Sequence, residues 1–269
     1  ELFEVMDGKT VCIRLLDPPL HEFLPQAEDA AEVAKDLGVT EADLLRALET
    51  LHEFNPMLGH RGCRLAVTYP EISVMQAKAI IMAAINVAKS GKVVKPEIMI
   101  PLIATVEELV YLKGFIKETA DALIAEAGID LDYKIGTMVE TPRAALIGSQ
   151  VGAEAQFISY GTNDLTQMTF GFSRDDAGKF LKEYAEKGIL PNDPFAAVDQ
   201  TGVGKLVEMS TKDAKAANKD IIVGVCGEHG GEPTSIDFFH RTGLNYVSCS
   251  PFRIPVAIVA AAQSELRNK

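Results

Sequence analysis

Two carboxylates follow separate apolar segments and have the sequence surroundings of a metal site. Glu140 comes directly after the apolar run 134–139 and precedes a Thr-Pro pair, where a helix can begin. Asp164 ends the sequence Gly-Thr-Asn-Asp at 161–164, which follows another apolar run. Mg²⁺ takes one or two carboxylates and completes its shell with waters and substrate oxygens, so this pair predicts a magnesium site. The alternative is that Asp164 only caps the next helix.

Three arginines supply groups that bind anions. Arg14 ends the first apolar run, Arg61 lies in a Gly-His-Arg-Gly turn, and Arg174 follows the second carboxylate along the chain. Arginine binds phosphate and carboxylate through paired hydrogen bonds, so the three beside a divalent cation would suit a small, doubly anionic substrate. The alternative is a set of surface ion pairs. We expect structural ion pairs for Arg64 and Arg143.

A cysteine ends another apolar run and is followed by glycines. Cys226 begins the sequence Cys-Gly-Glu-His-Gly-Gly, whose small residues would let a ligand approach closely. A thiol in this position can act as a general acid toward carbon. The alternative is an inert buried cysteine, which is the more common fate of this residue. We expect His229, three positions later, to have a hydrogen-bonded structural role.

Short apolar runs alternate with longer amphipathic segments through the whole chain. This alternation predicts an α/β fold with a parallel sheet, because strands buried on both faces are apolar nearly throughout. Helices are predicted over 44–54, 70–88 and 206–217, and from a capping box formed by Thr105 and Glu108. The predicted strands are 11–16, 97–103, 134–139, 157–160, 221–226 and 246–250, with a weaker seventh at 63–68.

The sheet is predicted to form a barrel rather than a doubly wound layer. The chain contains neither the G-x-G-x-x-G nor the P-loop fingerprint of the common nucleotide-binding folds. Polar residues instead collect at the carboxyl ends of many strands, where barrel enzymes build their sites. A closed (β/α)8 TIM barrel needs eight strands and the sequence offers seven. We therefore expect residues 1–269 to form one barrel domain that lacks its first βα unit.

Composition limits the partners that the protein can have. The 269 residues carry 26 Lys plus Arg against 38 Asp plus Glu, a net charge of −12. Such an acidic surface repels phosphate backbones and anionic lipids, so neither nucleic acid nor a membrane is an expected partner. The four cysteines form no C-x-x-C pair and have no zinc-site spacing. Scattered cysteines are typical of a cytoplasmic protein.

Taken together, these segments resemble a known family over essentially the whole chain. The chain is similar to the C-terminal, phosphoenolpyruvate/pyruvate-binding domain of the pyruvate, phosphate dikinase family. The matching segments are Arg-Leu-Leu-Asp-Pro-Pro-Leu-His-Glu-Phe at 14–23, Asn-Pro-Met-Leu-Gly-His-Arg-Gly at 55–62, Glu-Thr-Pro-Arg at 140–143, 161–176, Cys-Gly-Glu-His-Gly-Gly at 226–231, and Tyr-Val-Ser-Cys-Ser-Pro-Phe-Arg at 246–253.

The resemblance implies a (β/α)8 barrel and a Mg²⁺-dependent phosphoryl transfer. Family members convert pyruvate, ATP and phosphate to phosphoenolpyruvate, AMP and diphosphate through a phosphohistidine. The resemblance also implies that this histidine lies on a separate swivelling domain and that the protein is a homodimer. Neither the histidine motif nor a nucleotide-binding domain occurs in this chain, so the fragment alone is not expected to turn over ATP.

The resemblance also assigns roles to individual residues. Glu140 and Asp164 would hold Mg²⁺, Arg14 and Arg61 would bind the transferring phosphoryl group, and Cys226 would protonate the enolate carbon of pyruvate. The remaining substrate contacts would come from Gly161, Thr162, Asn163 and Arg174.

Other functions remain open on sequence alone. Phosphoenolpyruvate synthase and enzyme I of the sugar phosphotransferase system are related to the dikinase family and share the Gly-Thr-Asn-Asp core. A Mg²⁺-dependent lyase acting on a pyruvate enolate would use the two carboxylates similarly but would not need the phosphate-binding arginines. A non-catalytic dimerisation module would need none of these side chains.

Overall fold

The computed structural model describes residues 1–190 and 192–268. Within these ranges the core is one six-stranded sheet in which every adjacent pair of strands is parallel. The strands follow the order β1-β2-β3-β4-β5-β6, the same in space as along the chain. They span Thr10–Arg14 (β1), Lys95–Ile100 (β2), Lys134–Val139 (β3), Phe157–Gly161 (β4), Ile222–Cys226 (β5) and Tyr246–Val247 (β6).

Helices connect the strands and flank the sheet. In chain order they are α1 (Leu2–Val5), α2 (Ala30–Leu37), α3 (Glu41–Leu51), α4 (Cys63–Thr68), α5 (Pro70–Ala88), α6 (Val106–Ala127), α7 (Pro142–Leu146), α8 (Gly148–Glu154), α9 (Thr162–Phe170), α10 (Gly178–Glu186), α11 (Val203–Ala217), α12 (Pro233–Thr242) and α13 (Ile254–Arg267).

The strand order identifies the winding of the fold. Each connection moves one strand further in the same direction, and right-handed crossovers then place all the connecting helices on one face of the sheet. A doubly wound sheet would instead reverse direction at its first strand and carry helices on both faces. The six strands are therefore part of a TIM-type (β/α) barrel, curled with the helices outside, as the sequence predicted.

Alternate residues of the strands enter different layers of the core. Ile98 and Ile100 of β2 belong to the large cluster that joins the sheet to the helices. Met99, between them, belongs to a smaller cluster with Met138 and Phe157. Because successive side chains of a strand point to opposite faces, the smaller cluster lies on the inner face of the curled sheet. Both faces are thus buried, which explains why these strands are apolar nearly throughout.

The predicted seventh strand is wrong. Residues 63–68 form the helix α4, in which Cys63, Leu65 and Ala66 are buried. Gly62 turns the chain into this helix with a positive φ of 56°. A mostly apolar segment of six residues fits a short helix as well as a strand by pattern, and tertiary packing against α6 decides between them. The last strand is also shorter than predicted, since β6 covers only two residues.

The predicted helices are present, with small shifts at their ends. Thr105 and Glu108 form the expected capping box at the start of α6, and α5 covers the predicted 70–88 segment. The helices predicted over 44–54 and 206–217 are α3 and α11, and each begins three residues earlier than predicted, at Glu41 and Val203.

Helix α5 is long and apolar enough to cross a membrane by length and composition alone. It packs against α6 and β2, and its buried apolar side chains belong to the large core cluster. This is the packing of a core helix in an α/β domain.

Candidate active site at the carboxyl ends of the strands

Glu140 lies directly after β3 and is buried, with 1% of its surface exposed. Its Oε1 accepts a hydrogen bond of 2.7 Å from the backbone N–H of Leu102. The other oxygen, Oε2, lies over Gly161 at the end of β4, where a Cβ atom would come within 2.3 Å of it. Glycine at this position therefore leaves the room that the carboxylate occupies.

Asp164 stands in the first turn of α9 and binds an arginine instead of capping its own helix. The N-cap residue of this helix is Gly161, which precedes Thr162, and no side chain caps the helix. Asp164 Oδ1 accepts a hydrogen bond of 2.6 Å from Nη2 of Arg61. The interpretation of Asp164 as a simple helix cap is thus wrong.

Arg61 is the centre of a buried network that the sequence did not reveal. Its side chain is 3% exposed, Nη1 donates to Asp17 Oδ2 over 2.8 Å, and Nε donates to the carbonyl of Met57 over 2.8 Å. The same Asp17 oxygen accepts a bond of 3.2 Å from Arg14, whose side chain is 43% exposed. Asp17 thus joins both predicted phosphate-binding arginines, although its only sequence signal was its position just after the first strand.

Negative charge outweighs positive charge around Glu140. Burial, followed by repulsion from Asp164 and then Asp17, raises the pKa of Glu140 well above the ordinary range for a glutamate. The Oδ1 atom of Asp17 is buried without a hydrogen-bond partner among the described residues. Buried carboxylates that repel one another are the arrangement that a cation stabilises.

The donors present fit Mg²⁺ better than a metal held by protein alone. Among residues 1–190 and 192–268, no three His, Cys, Asp or Glu side chains are close enough together to enclose a metal ion. Two carboxylates with room for waters and substrate oxygens are the usual Mg²⁺ environment, whereas a zinc centre needs more protein ligands.

Cys226 ends β5 and is held next to the start of α9. Thr162 donates from Oγ1 to the carbonyl of Cys226 over 2.9 Å, and the side chain of Asn163 accepts the N–H of Glu228 over 3.3 Å. Gly227 has a φ of 101°, and a Cβ there would come within 2.8 Å of the Thr162 hydroxyl. Burial and, to a smaller extent, the negative charge of Glu140 raise the pKa of the Cys226 thiol to about 11.

A cavity of about 490 Å³ opens onto this arrangement. The predicted site residues that line it are Arg14, Arg61, Asn163, Asp164 and Arg174. Gln167 also lines the cavity, although no sequence motif indicated it, and its side-chain oxygen accepts the backbone N–H of Arg174 over 2.8 Å. Cys226 lines a separate, smaller cavity of about 280 Å³ together with Arg253. Glu140 lines neither, because it is buried beneath the surface of the site.

The structure also shows the partners of His229, Arg64 and Arg143. His229 is fully buried and bonds through Nε2 to the carbonyl of Pro194, which confirms its structural role. The expected ion pairs of Arg64 and Arg143 are wrong. Within the described residues, both donate to backbone carbonyls, Arg64 to residues 58 and 59 and Arg143 to residue 104.

The fold and the site together define a class of protein. Residues 1–266 match the model of the family described as "PEP-utilising enzyme, PEP-binding domain", where PEP is phosphoenolpyruvate. The chain belongs to this family.

Individual relatives make the resemblance more specific. The chain is 54% identical over its whole length to the pyruvate, phosphate dikinase of Clostridium symbiosum. It is 55% identical over 97% of its length to the chloroplastic pyruvate, phosphate dikinase of Flaveria pringlei. It is 53% identical over its whole length to the pyruvate, phosphate dikinase of Rhizobium meliloti. The chain spans 28–31% of the length of these relatives. Among solved structures, a citrate lyase from Burkholderia xenovorans matches with a TM-score of 0.41 and 17% identity, over 61% of this chain and 48% of that one.

Proposed function

We propose that this chain carries out the phosphoenolpyruvate/pyruvate half-reaction of a pyruvate, phosphate dikinase. In this reaction a phosphoryl group moves between phosphoenolpyruvate and a phosphohistidine on a separate domain, as part of the reversible conversion of pyruvate, ATP and phosphate to phosphoenolpyruvate, AMP and diphosphate. The observation that carries the proposal is the convergence of Glu140, Asp164, Arg61 and Arg14 on one face of the barrel, with Cys226 on the adjacent strand.

Glu140 and Asp164 are the residues that would hold Mg²⁺. Burial, followed by the repulsion from Asp164, raises the pKa of Glu140, and a carboxylate in such surroundings supports this assignment. When bound, the ion supplies positive charge to the enolate and phosphoryl oxygens. Glu140, already fixed by the N–H of Leu102, keeps its Oε2 available for this purpose.

The two arginines would bind the phosphoryl group from one side of the cavity. Arg61 uses three of its N–H groups on Met57, Asp17 and Asp164. A guanidinium has five such groups, so one N–H on each Nη is left for phosphoryl oxygens. Arg14 is more exposed and provides a second, more adaptable cation. Positive charge fixed before the reaction stabilises the transferring group without reorganisation.

Cys226 would transfer the C3 proton by which pyruvate differs from its enolate. When pyruvate forms, the bond from phosphorus to the enolate oxygen breaks, phosphorus bonds to a histidine nitrogen, and the enolate takes the thiol proton at C3. In the reverse direction the thiolate removes that proton. A pKa of about 11 keeps Cys226 protonated at neutral pH, which supports its role as the acid.

The remaining assignments complete the proposal. Thr162, Asn163 and Gly161 would line the substrate site, and Arg174 would contact the phosphate at the edge of the cavity that it lines. We also propose that the partner carrying the phosphohistidine is another domain of the same protein, that the protein is a homodimer, and that it is cytoplasmic.

The proposal is tested by separating the two chemical steps. The chain is mixed with a phosphohistidine domain from a dikinase, and phosphoryl transfer from phosphoenolpyruvate is followed beside Mg²⁺-dependent exchange of the C3 protons of pyruvate in D₂O. We expect Arg61→Ala to abolish transfer and to spare exchange. Survival of both would favour the lyase. If Cys226→Ala and Glu140→Ala also leave transfer and exchange intact, the site is not catalytic.

A further inference from the structure

Arg61 lies in an irregular loop, residues 52–62, that belongs to no strand or long helix. Its conformation therefore depends on side-chain hydrogen bonds. The loop contains one short turn of helix, Pro56–Leu58, which Asn55 caps through its side chain. Arg64 fixes the far side of this turn by donating to the carbonyls of Leu58 and Gly59 over 2.8 and 2.9 Å. The backbone next to Arg61 itself is held by a different residue.

That residue is Glu53. Both of its carboxylate oxygens lie 3.0 Å from the backbone N–H of His60, the residue before Arg61. The carboxylate sits directly on the neighbouring glycine, because a Cβ atom on Gly59 would come within 1.6 Å of Glu53 Oε2. A hydrogen bond to an ionised acceptor is roughly twice as strong as a neutral one.

Glu53 is itself anchored through its own backbone. Its backbone N–H donates to Nδ1 of His21 over 2.9 Å, which ties the loop to the segment that follows β1. In the part of the chain that the structure describes, no Lys or Arg forms an ion pair with this carboxylate. The carboxylate therefore interacts with the backbone of the loop.

The position of this backbone determines the position of the guanidinium. Arg61 bonds through Nε to the carbonyl of Met57, in the same loop, and through its other nitrogens to Asp17 and Asp164 on two other segments. Because residue 60 directly precedes Arg61, a movement of its backbone would shift the guanidinium and redirect the two N–H groups that are left for the phosphoryl group.

We propose that Glu53 is a positioning residue for phosphoryl recognition. Glu53 holds the backbone of residues 59–60, so that Arg61 directs two N–H groups at the phosphoryl group while its third nitrogen contact is to Asp164. The inference rests on the proposed function, because it takes Arg61 to be the group that distinguishes phosphoenolpyruvate from pyruvate. Glu53 need not contact the substrate.

The experiment compares two ligands on the full chain. Binding of phosphoenolpyruvate and of pyruvate, each with Mg²⁺, is measured by calorimetry for the wild type, Glu53→Ala and Glu53→Gln. We expect Glu53→Ala to weaken phosphoenolpyruvate binding about tenfold and to leave pyruvate binding within about twofold, because only the phosphoryl group uses the arginine. Glu53→Gln keeps an acceptor oxygen and should restore most of the affinity. Glu49→Ala, which removes the same charge from the exposed surface of α3, is the matched control.

A second measurement reports on Arg61 without any substrate. The Nε–H signal of Arg61 is followed by nuclear magnetic resonance, and its hydrogen exchange should be faster in Glu53→Ala than in Glu49→Ala. Unchanged exchange together with unchanged phosphoenolpyruvate binding would overturn the inference. Equal loss of both ligands in Glu53→Ala and Glu53→Gln would also overturn it, since that is the result of general unfolding.

The contact with Gly59 supplies an internal check. Gly59→Ala should mimic Glu53→Ala by displacing the carboxylate, and the double variant should be no weaker in phosphoenolpyruvate binding than either single one. Additive losses would contradict the inference. If the wild-type chain binds no phosphoenolpyruvate, the proposed function fails, whereas the exchange of the Arg61 Nε–H still tests the effect of Glu53.

Discussion

Glu140 illustrates how much a single buried side chain contributes to the site. Its carboxylate lies between the N–H of Leu102 and the surface of Gly161, and it is repelled by the charges of Asp164 and Asp17. Without a cation, the folded state must accommodate this repulsion. The proposed Mg²⁺ site therefore predicts that the stability of the fold depends on metal.

Mg²⁺ should stabilise the fold through Glu140. At a Mg²⁺ concentration about 100-fold above its Kd, we expect the free energy of unfolding to rise by about 2.7 kcal/mol in thermal unfolding experiments against EDTA. Glu140→Gln should lose this effect and, in EDTA, should be at least as stable as the wild type, because it removes the repulsion. Glu126→Gln, on the exposed side of α6, should respond to Mg²⁺ like the wild type. A Glu140→Gln protein that Mg²⁺ stabilises fully would contradict the assignment.

Cys226 should be a slow nucleophile at neutral pH. Because burial raises its pKa to about 11, the reactive thiolate is scarce, and alkylation by iodoacetamide should rise about tenfold per pH unit between about pH 7 and pH 10. Mass spectrometry of the peptide that contains the residue gives the rate. Since the charge of Glu140 is the second cause of the shift, Glu140→Gln should accelerate the reaction at a fixed pH. A rate that levels off near pH 8.5 would show an ordinary thiol.

At the scale of elements, glycines make room on the inner face of the sheet for groups of the neighbouring strands. Gly136 in β3 and Gly224 in β5 would each bring a Cβ within 2.3 Å of an atom of the adjacent strand, the carbonyl of Phe157 and the ring of Tyr246 respectively. Gly161 does the same for the Glu140 carboxylate. The inner face of the curled sheet is thus too crowded for side chains at these positions.

Gly161→Ala should therefore damage both stability and metal binding. Its Cβ would meet Glu140 Oε2 at 2.3 Å and Met138 Sδ at 2.8 Å, and we expect a loss of about 1–3 kcal/mol in the free energy of unfolding by urea titration, typical of overpacking. The stabilisation by Mg²⁺ should fall as well. Gly114→Ala in α6 is the matched control, since nothing lies within 4 Å of its added Cβ. That variant should gain about 0.5–1 kcal/mol from helix propensity.

For the whole molecule, the order of the strands decides which parts are held most firmly. The central strands are hydrogen-bonded on both sides, whereas β1 and β6 each have one neighbour among the described strands. Apolar side chains of α13, among them Ile258 and Val259, are also more than half exposed. Segments with few buried contacts and few hydrogen-bonded neighbours open locally more often than the rest of the fold.

Hydrogen exchange should reproduce this gradient. We expect amides of β3 and β4 to exchange slowest and those of β6 to exchange fastest among the strands, as measured by mass spectrometry on the chain. Protection of β1 and β6 equal to that of β3 would indicate that another segment or a second copy pairs with these edges. Repeating the measurement across protein concentrations would distinguish the two, because only pairing with a second copy depends on concentration.

The sequence by itself determined the class of the fold and the residues of the candidate site. Apolar runs such as 134–139 and 157–160 predict strands buried on both faces, because hydrophobic residues without alternation fit no exposed strand. The residues that follow these runs, Glu140 and Asp164 among them, had to lie at one edge once the strands were parallel. The motifs around them were specific enough to indicate the family.

Tertiary structure decided what local pattern leaves undetermined. The segment 63–68 is a helix because its packing against α6 favours it, and a six-residue apolar pattern does not discriminate. The partners of Arg61 lie 44 and 103 positions away in the chain. Asp17 and Glu53 therefore acquire their roles only when the barrel brings distant segments together, since hydrogen bonds and burial depend on distance in space and not on separation in sequence.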